Sequence, residues 1–291
     1  MSRALLAGSV ILLLAAFAAG QDGDAIVYRS GVKLIEVYAT VLDHNGRYID
    51  GLDRGAFEIR DEGRAQPILT FEDTSRPVAC AMVLDTTGSM EYFLPLLRNS
   101  ALRFLDSLGA KDEIAVYTFS ESLSLRQEFT TDRAAARRAI LRTRASGRTA
   151  LFDALAQAGR EVAGHHGKKA LVVFTDGDDN SSSLNADAAA RQLRKLGVPV
   201  FAIGEGEALD SRPLLRTLRG VSAATGGGAF EVRRTSDVDK VFNAIAADLQ
   251  HTYLLVYKAP STADSHWRTI SVSVRDGAEY RIRAREGYFP D

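Results

Sequence analysis

Hydrophobic and polar positions change period along the chain and divide it into four stretches. After Arg3 comes an uncharged apolar run, Ala4 to Ala19. It falls short of the roughly 20 residues that span a bilayer. Small residues close it at Ala16-Phe17-Ala18 and Ala18-Ala19-Gly20, the make-up of a cleavable export signal. Cleavage after Gly20 is expected, so 1–20 is read as a signal peptide, the alternative being an uncleaved N-terminal anchor. No cysteine closes the segment and no later apolar run approaches membrane-spanning length. Neither a lipid-anchored cysteine nor a membrane span is expected after cleavage.

The stretch 21–77 has period two. Ile35, Val37, Ala39 and Val41 alternate with their neighbours and define one face of a strand. Asn45-Gly46 then suits a tight hairpin turn. Phe57 and Ile59 alternate again before Asp61-Glu62-Gly63, Ile68 to Phe71 resumes, and Pro77 marks a junction.

From 78 to 250 the pattern changes. Val78 to Leu84 is a continuous apolar run, the mark of a strand covered on both faces. Leu94, Leu97, Ala101, Phe104, Leu105 and Leu108 follow at helical spacing. Further strands are predicted at Ile114–Phe119, Ala170–Phe174 and Val198–Ile203. Helices are predicted through Leu151, Leu155, Ala158 and Val162, through Leu193 and Leu196, and through Val238, Val241, Phe242, Ile245 and Leu249. Such alternation implies an α/β fold, a Rossmann-like doubly wound and mainly parallel sheet with helices on both sides.

The stretch 251–291 returns to period two. Ile270, Val272 and Val274 alternate, Asp276-Gly277 supplies a turn, and Ala278, Tyr280, Ile282 and Ala284 alternate back. Domain termini often lie close together. The flanks 21–77 and 251–291 are therefore expected to pack into one small β module beside the α/β domain.

Composition narrows the function more than the fold. The 291 residues are 46% hydrophobic and 25% charged, which excludes disordered and collagen-like chains. With 36 Lys+Arg against 37 Asp+Glu, the net charge is −1. Binding of nucleic acid through bulk electrostatics is not expected. The single cysteine, Cys80, has no internal partner and sits in an apolar strand, and no CxxC or Cys/His cluster points to zinc.

In open α/β sheets ligands bind beyond the carboxyl ends of the strands. After the first buried strand stands Asp85-Thr86-Thr87-Gly88-Ser89, after Phe174 stands Thr175-Asp176-Gly177-Asp178, and Gly147-Arg148-Thr149 opens a helix between them. Asp85 and Asp176 offer carboxylates; Thr87, Ser89 and Thr149 offer hydroxyls. All are hard oxygen donors, suited to Mg²⁺ or Mn²⁺, with Ca²⁺ a further candidate. Two carboxylates neutralise a divalent ion without overcharging it, so an open position stays receptive to a carboxylate from outside.

Asp85-x-Thr87-x-Ser89 resembles the DxSxS motif of the von Willebrand factor type A domain family. Thr149 in Gly147-x-Thr149-x-Leu151-x-x-Ala154-Leu155 resembles its metal-site threonine, and Asp176 in Val173-Phe174-Thr175-Asp176-Gly177 its second aspartate. Gly51-Leu52, Ala56 to Gly63 and Gln66-Pro67-Ile68 further resemble a related family of acidobacterial-type exported proteins. The resemblance implies a metal-ion-dependent adhesion site formed by Asp85, Thr87, Ser89, Thr149 and Asp176. A partner protein's Asp or Glu would complete its shell. Thr87 departs from the usual serine but keeps the hydroxyl.

Other features carry plainer expectations. Asp176, Asp178 and Asn180 match the start of a calcium loop, but Ser181 stands where that loop needs glycine and Asp187 where it needs glutamate. Asp178 and Asp179 are placed instead on the rim of the site. His165 and His166 are read as cations ending a helix, Gly226-Gly227-Gly228 as a turn, Arg281, Arg283 and Arg285 as a solvated strand face, and Trp267 as packing.

The chain is thus expected to be an exported, non-enzymatic binding module in the periplasm, on the cell surface or secreted. A scaffold role with a vestigial metal site is the alternative. Hydrolysis is less favoured, because Thr87 interrupts both the DxD of an aspartyl-phosphate enzyme and the G-x-S-x-G around Ser89.

Overall fold

The structure is a computed structural model that describes residues 33–234, 237–261, 265–275 and 280–290. The expected signal segment 1–20 and the Asp276-Gly277 turn with Ala278 lie outside the described residues.

The period-two stretch before Pro77 forms β1 (Leu34–Leu42), β2 (Phe57–Asp61), β3 (Arg64–Gln66) and β4 (Ile68–Glu72). Glu62 and Gly63 join β2 to β3 with φ of 48° and 74°. That left-handed pair is the geometry of a tight hairpin turn, and only one of its two residues is glycine. The middle of the chain then runs β5 (Val78–Asp85), α1 (Leu94–Ser107), β6 (Glu113–Phe119), β7 (Leu123–Thr130), α2 (Arg133–Leu141), α3 (Leu151–Ala163) and β8 (Lys168–Thr175). It continues through α4 (Ala186–Leu196), β9 (Val200–Glu205), α5 (Arg212–Thr225), β10 (Ala229–Val232) and α6 (Val238–Gln250). The last strands are β11 (Thr252–Lys258), β12 (Arg268–Val274), β13 (Arg281–Ala284) and β14 (Gly287–Tyr288).

The central sheet has order β10-β9-β8-β5-β6-β7, parallel throughout except for the β6–β7 pair. Every residue of β5, β8 and β9 is buried, as continuous apolar runs require when helices cover both faces. Cys80, Met82, Leu84, Ile114 and Phe174 face α1, α2 and α6, while Ala81, Val83, Ala115 and Val173 face α3, α4 and α5. Cys80 is buried and unpaired, and burial pushes its thiol well above the ordinary range.

The sequence pattern misses β7, α2, α5 and β10. β7 is a half-exposed edge strand, and α2 is mostly Arg and Ala with only Ala136 and Ile140 buried, so neither shows a strong apolar stripe.

The flanking strands pair with one another. Two four-stranded sheets form, β13-β1-β11-β4 and β14-β12-β2-β3, with Val37 opposite Leu255 and Ile59 opposite Val272. Val37, Val41, Tyr253 and Tyr257 of the first sheet share a core with Phe57, Ile59, Ile270 and Tyr288 of the second. Asp61 is buried in that core, where Tyr257 and Tyr288 donate hydroxyls to Oδ2 at 2.8 Å each and Arg268 Nε donates to Oδ1 at 2.8 Å.

Three basic side chains join this sandwich to the amino ends of the central strands. Lys168 Nζ donates to the carbonyls of Asp73, Thr74 and Thr252. Lys169 Nζ donates to Ala163 and His165 carbonyls and pairs with Glu36. Arg285 donates to the carbonyls of Gly287 at 2.9 Å and Arg194 at 2.8 Å.

Three expectations need correction. Arg285 lies past the end of β13 and is buried, not on a solvated strand face. α3 ends at Ala163, so the histidines do not end a helix. The His165 ring stacks on Phe129 at 4.4 Å, and its Nε2 meets Glu113 Oε2 at 2.9 Å. Asp179 is not a rim charge: Oδ2 accepts the N–H of Phe152 at 2.9 Å and caps the start of α3, satisfying a backbone donor that has no helical partner. Gly226 ends α5 at φ 84°, and a Cβ at Gly227 would stand 2.1 Å from the Val200 carbonyl oxygen. The triple glycine is therefore a packing requirement. Trp267 packs edge-on against Phe289 at 5.0 Å.

Candidate functional site

From β5 the chain moves to β6 on one side, and β8 later returns to the other side. This reversal of direction opens a crevice at the carboxyl ends of β5 and β8, and Asp85 and Asp176 stand there.

Asp85 is 0% exposed. Its Oδ1 accepts the N–H of Thr87 at 3.0 Å and its Oδ2 accepts the Thr175 hydroxyl at 2.9 Å. Burial pushes its carboxyl up to about 6, against the lowering effect of the Thr87 bonds and with a further rise from the charge of Asp176. Thr86 anchors the turn, donating both its N–H and its hydroxyl to the Phe119 carbonyl at 2.9 Å.

The turn then presents its hydroxyls. Thr87 Oγ1 and Ser89 Oγ are 3.0 Å apart, and Ser89 donates to Asp176 Oδ1 at 3.1 Å. A hydroxyl has a single proton. With the Ser89 proton spent on Asp176, the Thr87 hydroxyl is the donor to Ser89, which leaves lone pairs on both oxygens for a further partner. Four of the five residues singled out from the sequence thus form one hydrogen-bonded group: Asp85 and Thr87 through the backbone, Thr87, Ser89 and Asp176 through side chains.

Thr149 joins through the main chain. Gly88 N–H donates to the Gly147 carbonyl at 3.0 Å and Ser146 N–H to the Thr86 carbonyl at 2.8 Å, so the two loops are laced together. Gly147 has φ 82°, a conformation that glycine adopts without strain. Thr149 is buried, its N–H bound to Asn180 Oδ1 at 2.9 Å and its carbonyl to the N–H of Asn180 at 2.9 Å. Asn180 is therefore engaged with Thr149, which leaves it poorly placed to serve a separate calcium loop.

Among the described residues, no three Asp, Glu, His or Cys side chains gather closely enough to hold an ion by themselves. A cation in this crevice would depend on the hydroxyl oxygens as well. Two carboxylates with hydroxyls is a donor set that fits Mg²⁺ or Mn²⁺.

Two neighbours escaped the sequence reading. Tyr92 follows the Ser89 turn and is 92% exposed; only its position beside the motif signals it. Glu205 ends β9 next to Asp176 and is 6% exposed. It is a polar residue after a buried strand, the same signal that picked out Asp85. Burial first, then the charges of Asp176 and Asp85, push its carboxyl up to about 7.

Residues 81–244 match the von Willebrand factor type A domain family. No curated protein matches the chain. Among solved structures, a von Willebrand factor type A protein from Catenulispora acidiphila superimposes with TM-score 0.54 at 16% identity, covering 91% of this chain and 76% of that one. A point mutant of the PilB minor pilin from Streptococcus sanguinis gives 0.51 at 15% identity, covering 65% and 64%. The vWF domain of the type V pili tip protein Mfa5 from Porphyromonas gingivalis gives 0.50 at 14% identity, covering 59% and 94%. At such identities these three likenesses establish the fold alone. No helix among the described residues is long and apolar enough to cross a membrane.

Proposed function

The chain belongs to the von Willebrand factor type A domain family, and from that premise we propose that it is an exported, non-enzymatic adhesion or assembly module. It holds a divalent cation, Mg²⁺ or Mn²⁺, through Asp85, Thr87, Ser89, Thr149 and Asp176, and grips an Asp or Glu of a protein partner. The observation that carries this reading is the hydrogen-bonded chain Thr87–Ser89–Asp176 beside buried Asp85 at the strand-order reversal.

When bound, the cation supplies a positive point that attracts a carboxylate. The chain's own residues do the rest. Asp85 and Asp176 supply the opposing charge, while Thr175 and the Thr87 N–H hold Asp85 in one orientation. Thr87 and Ser89 offer neutral oxygens, so the ion keeps its pull on an outside anion. Tyr92 stands exposed beside the turn and offers an aromatic contact of the kind enriched in interface centres. The pilin and pilus-tip neighbours support a surface role.

The test is thermal unfolding with EDTA and then with excess Mg²⁺ or Mn²⁺, joined to capture from the native envelope in Mg²⁺ and elution with EDTA. Wild-type protein should melt higher with the ion and release a specific partner on chelation; Asp85→Ala should do neither. An unchanged ion response in Asp85→Ala would sink the metal assignment. Capture that ignores EDTA would favour assembly without a working ion site. Mass spectrometry of the native protein should find Gln21 at its N-terminus; Met1 would refute cleavage.

A further inference from the structure

β9 ends on a carboxylate outside the five-residue motif. Phe174 lies opposite Ile203 and Thr175 opposite Gly204 in the parallel β8–β9 ladder, so the next residues, Asp176 and Glu205, leave neighbouring strands side by side. The Ala208 N–H donates to the Asp176 carbonyl at 2.6 Å, which folds the chain after Glu205 back over Asp176. Glu205 is thereby held in the crevice, 6% exposed.

Its Oε1 is shut off from solvent and has no hydrogen-bond partner among the described residues. A buried carboxylate oxygen left without a donor is among the most costly arrangements in a protein. The charges that act on it are those of Asp176 and Asp85, both of which repel it. A positive species in the same crevice would offset the charge of all three carboxylates and give Glu205 Oε1 a partner.

We propose that Glu205 is a third carboxylate of the cation site, set too far from Asp85 and Asp176 for all three to ligate the ion themselves, so that it reaches the ion through a bridging water and strengthens its retention. The inference rests on the metal-binding reading given above and adds to it a residue and a charge. With Asp85 and Asp176 alone, a divalent ion leaves the site neutral. With Glu205 the site carries one surplus negative charge. That favours firm retention of the ion and weakens its pull on an outside carboxylate.

The experiment is calorimetric titration of the full chain, stripped with EDTA and dialysed, with Mn²⁺, Mg²⁺ and Ca²⁺ at pH 8. Four proteins are compared: wild type, Glu205→Gln, Glu205→Asp and Asp85→Asn. Glu205→Gln keeps the shape and removes the charge, so Mn²⁺ affinity should fall roughly 10–100-fold. Its metal-free melting temperature should rise, because one of three crowded like charges is gone. Glu205→Asp keeps the charge and should recover most of the affinity. A purely packing role would lower stability in both variants and leave ion affinity alone. Mn²⁺ binding by Glu205→Gln within about twofold of wild type, a difference too small for a lost ion contact, would overturn the inference while leaving the five-residue site standing. Wild type that binds none of the three ions would overturn both.

Discussion

Thr87 shows how much depends on one oxygen. Its hydroxyl sits 3.0 Å from that of Ser89, which donates to Asp176, so the chain of donors begins at Thr87. Serine would supply the same oxygen and valine the same shape without it. Thr87→Ser should keep Mn²⁺ affinity within about threefold, and Thr87→Val should lose roughly tenfold or more, both read by calorimetry. Equal affinities in the two variants would remove Thr87 from the ligand set. Tyr92 belongs to a different function. Exposed beside the turn, it would meet the partner of the proposed function and not the ion. Tyr92→Ala should reduce EDTA-eluted capture about tenfold, with the ion-induced rise in melting temperature unchanged.

At the scale of elements, the β flanks are fastened to the sheet by buried cations. Lys168 opens β8 and reaches three carbonyls, two after β4 and one on β11. Replacing it with methionine removes the one side chain that donates to all three carbonyls, of which Asp73 keeps only a long bond from the Arg76 N–H, and should cost about 3 kcal/mol in urea unfolding. Burial lowers its ammonium from 10.5 to about 8, against the pull of Asp112 and Glu72 in the other direction. In that window the folded chain holds fewer protons on Lys168 than the unfolded chain, so the Lys168 contribution to stability rises with pH from about 8 to about 10.5. It is lost as the pH falls through about 8. The stability difference between wild type and Lys168→Met should accordingly grow across this range; a difference that shrinks would contradict the assignment.

Across the whole molecule, the candidate site and the β sandwich occupy opposite ends of the central strands. β5 has eight residues between them, about 26 Å at strand rise. Lys168, Lys169 and Arg285 clamp the sandwich at the amino ends, and Asp85, Asp176 and Glu205 gather at the carboxyl ends. The sandwich therefore lies away from the crevice and does not cover it. Arg285→Met strips donors from the Arg194 and Gly287 carbonyls and should destabilise the fold by about 3 kcal/mol. Its Mn²⁺ affinity should stay within about twofold of wild type, as expected for distant, independent sites. A large loss of affinity would mean that the two ends are coupled.

The α/β class and the order of its main elements were legible in the chain, because doubly covered strands must be apolar throughout and helices must carry a stripe. The site motif was legible for a related reason. Asp85, Thr87 and Ser89 lie within one turn, and local spacing determines which groups that turn can present together. Edge strand β7 and the short-striped α2 were hidden because little of either is buried. Long-range neighbours were hidden more deeply. His165 reads as a helix end until Phe129 and Glu113 are brought beside it, and Arg285 reads as surface until Arg194 meets it. Glu205 carries the same end-of-strand signal as Asp85, but its place beside Asp176 comes from the β8–β9 register. Periodicity records which side of an element avoids water, so the sequence by itself determined the layers and the local turn. Which charges share a dry crevice depends on contacts between residues far apart in the chain, and only the tertiary structure decided that.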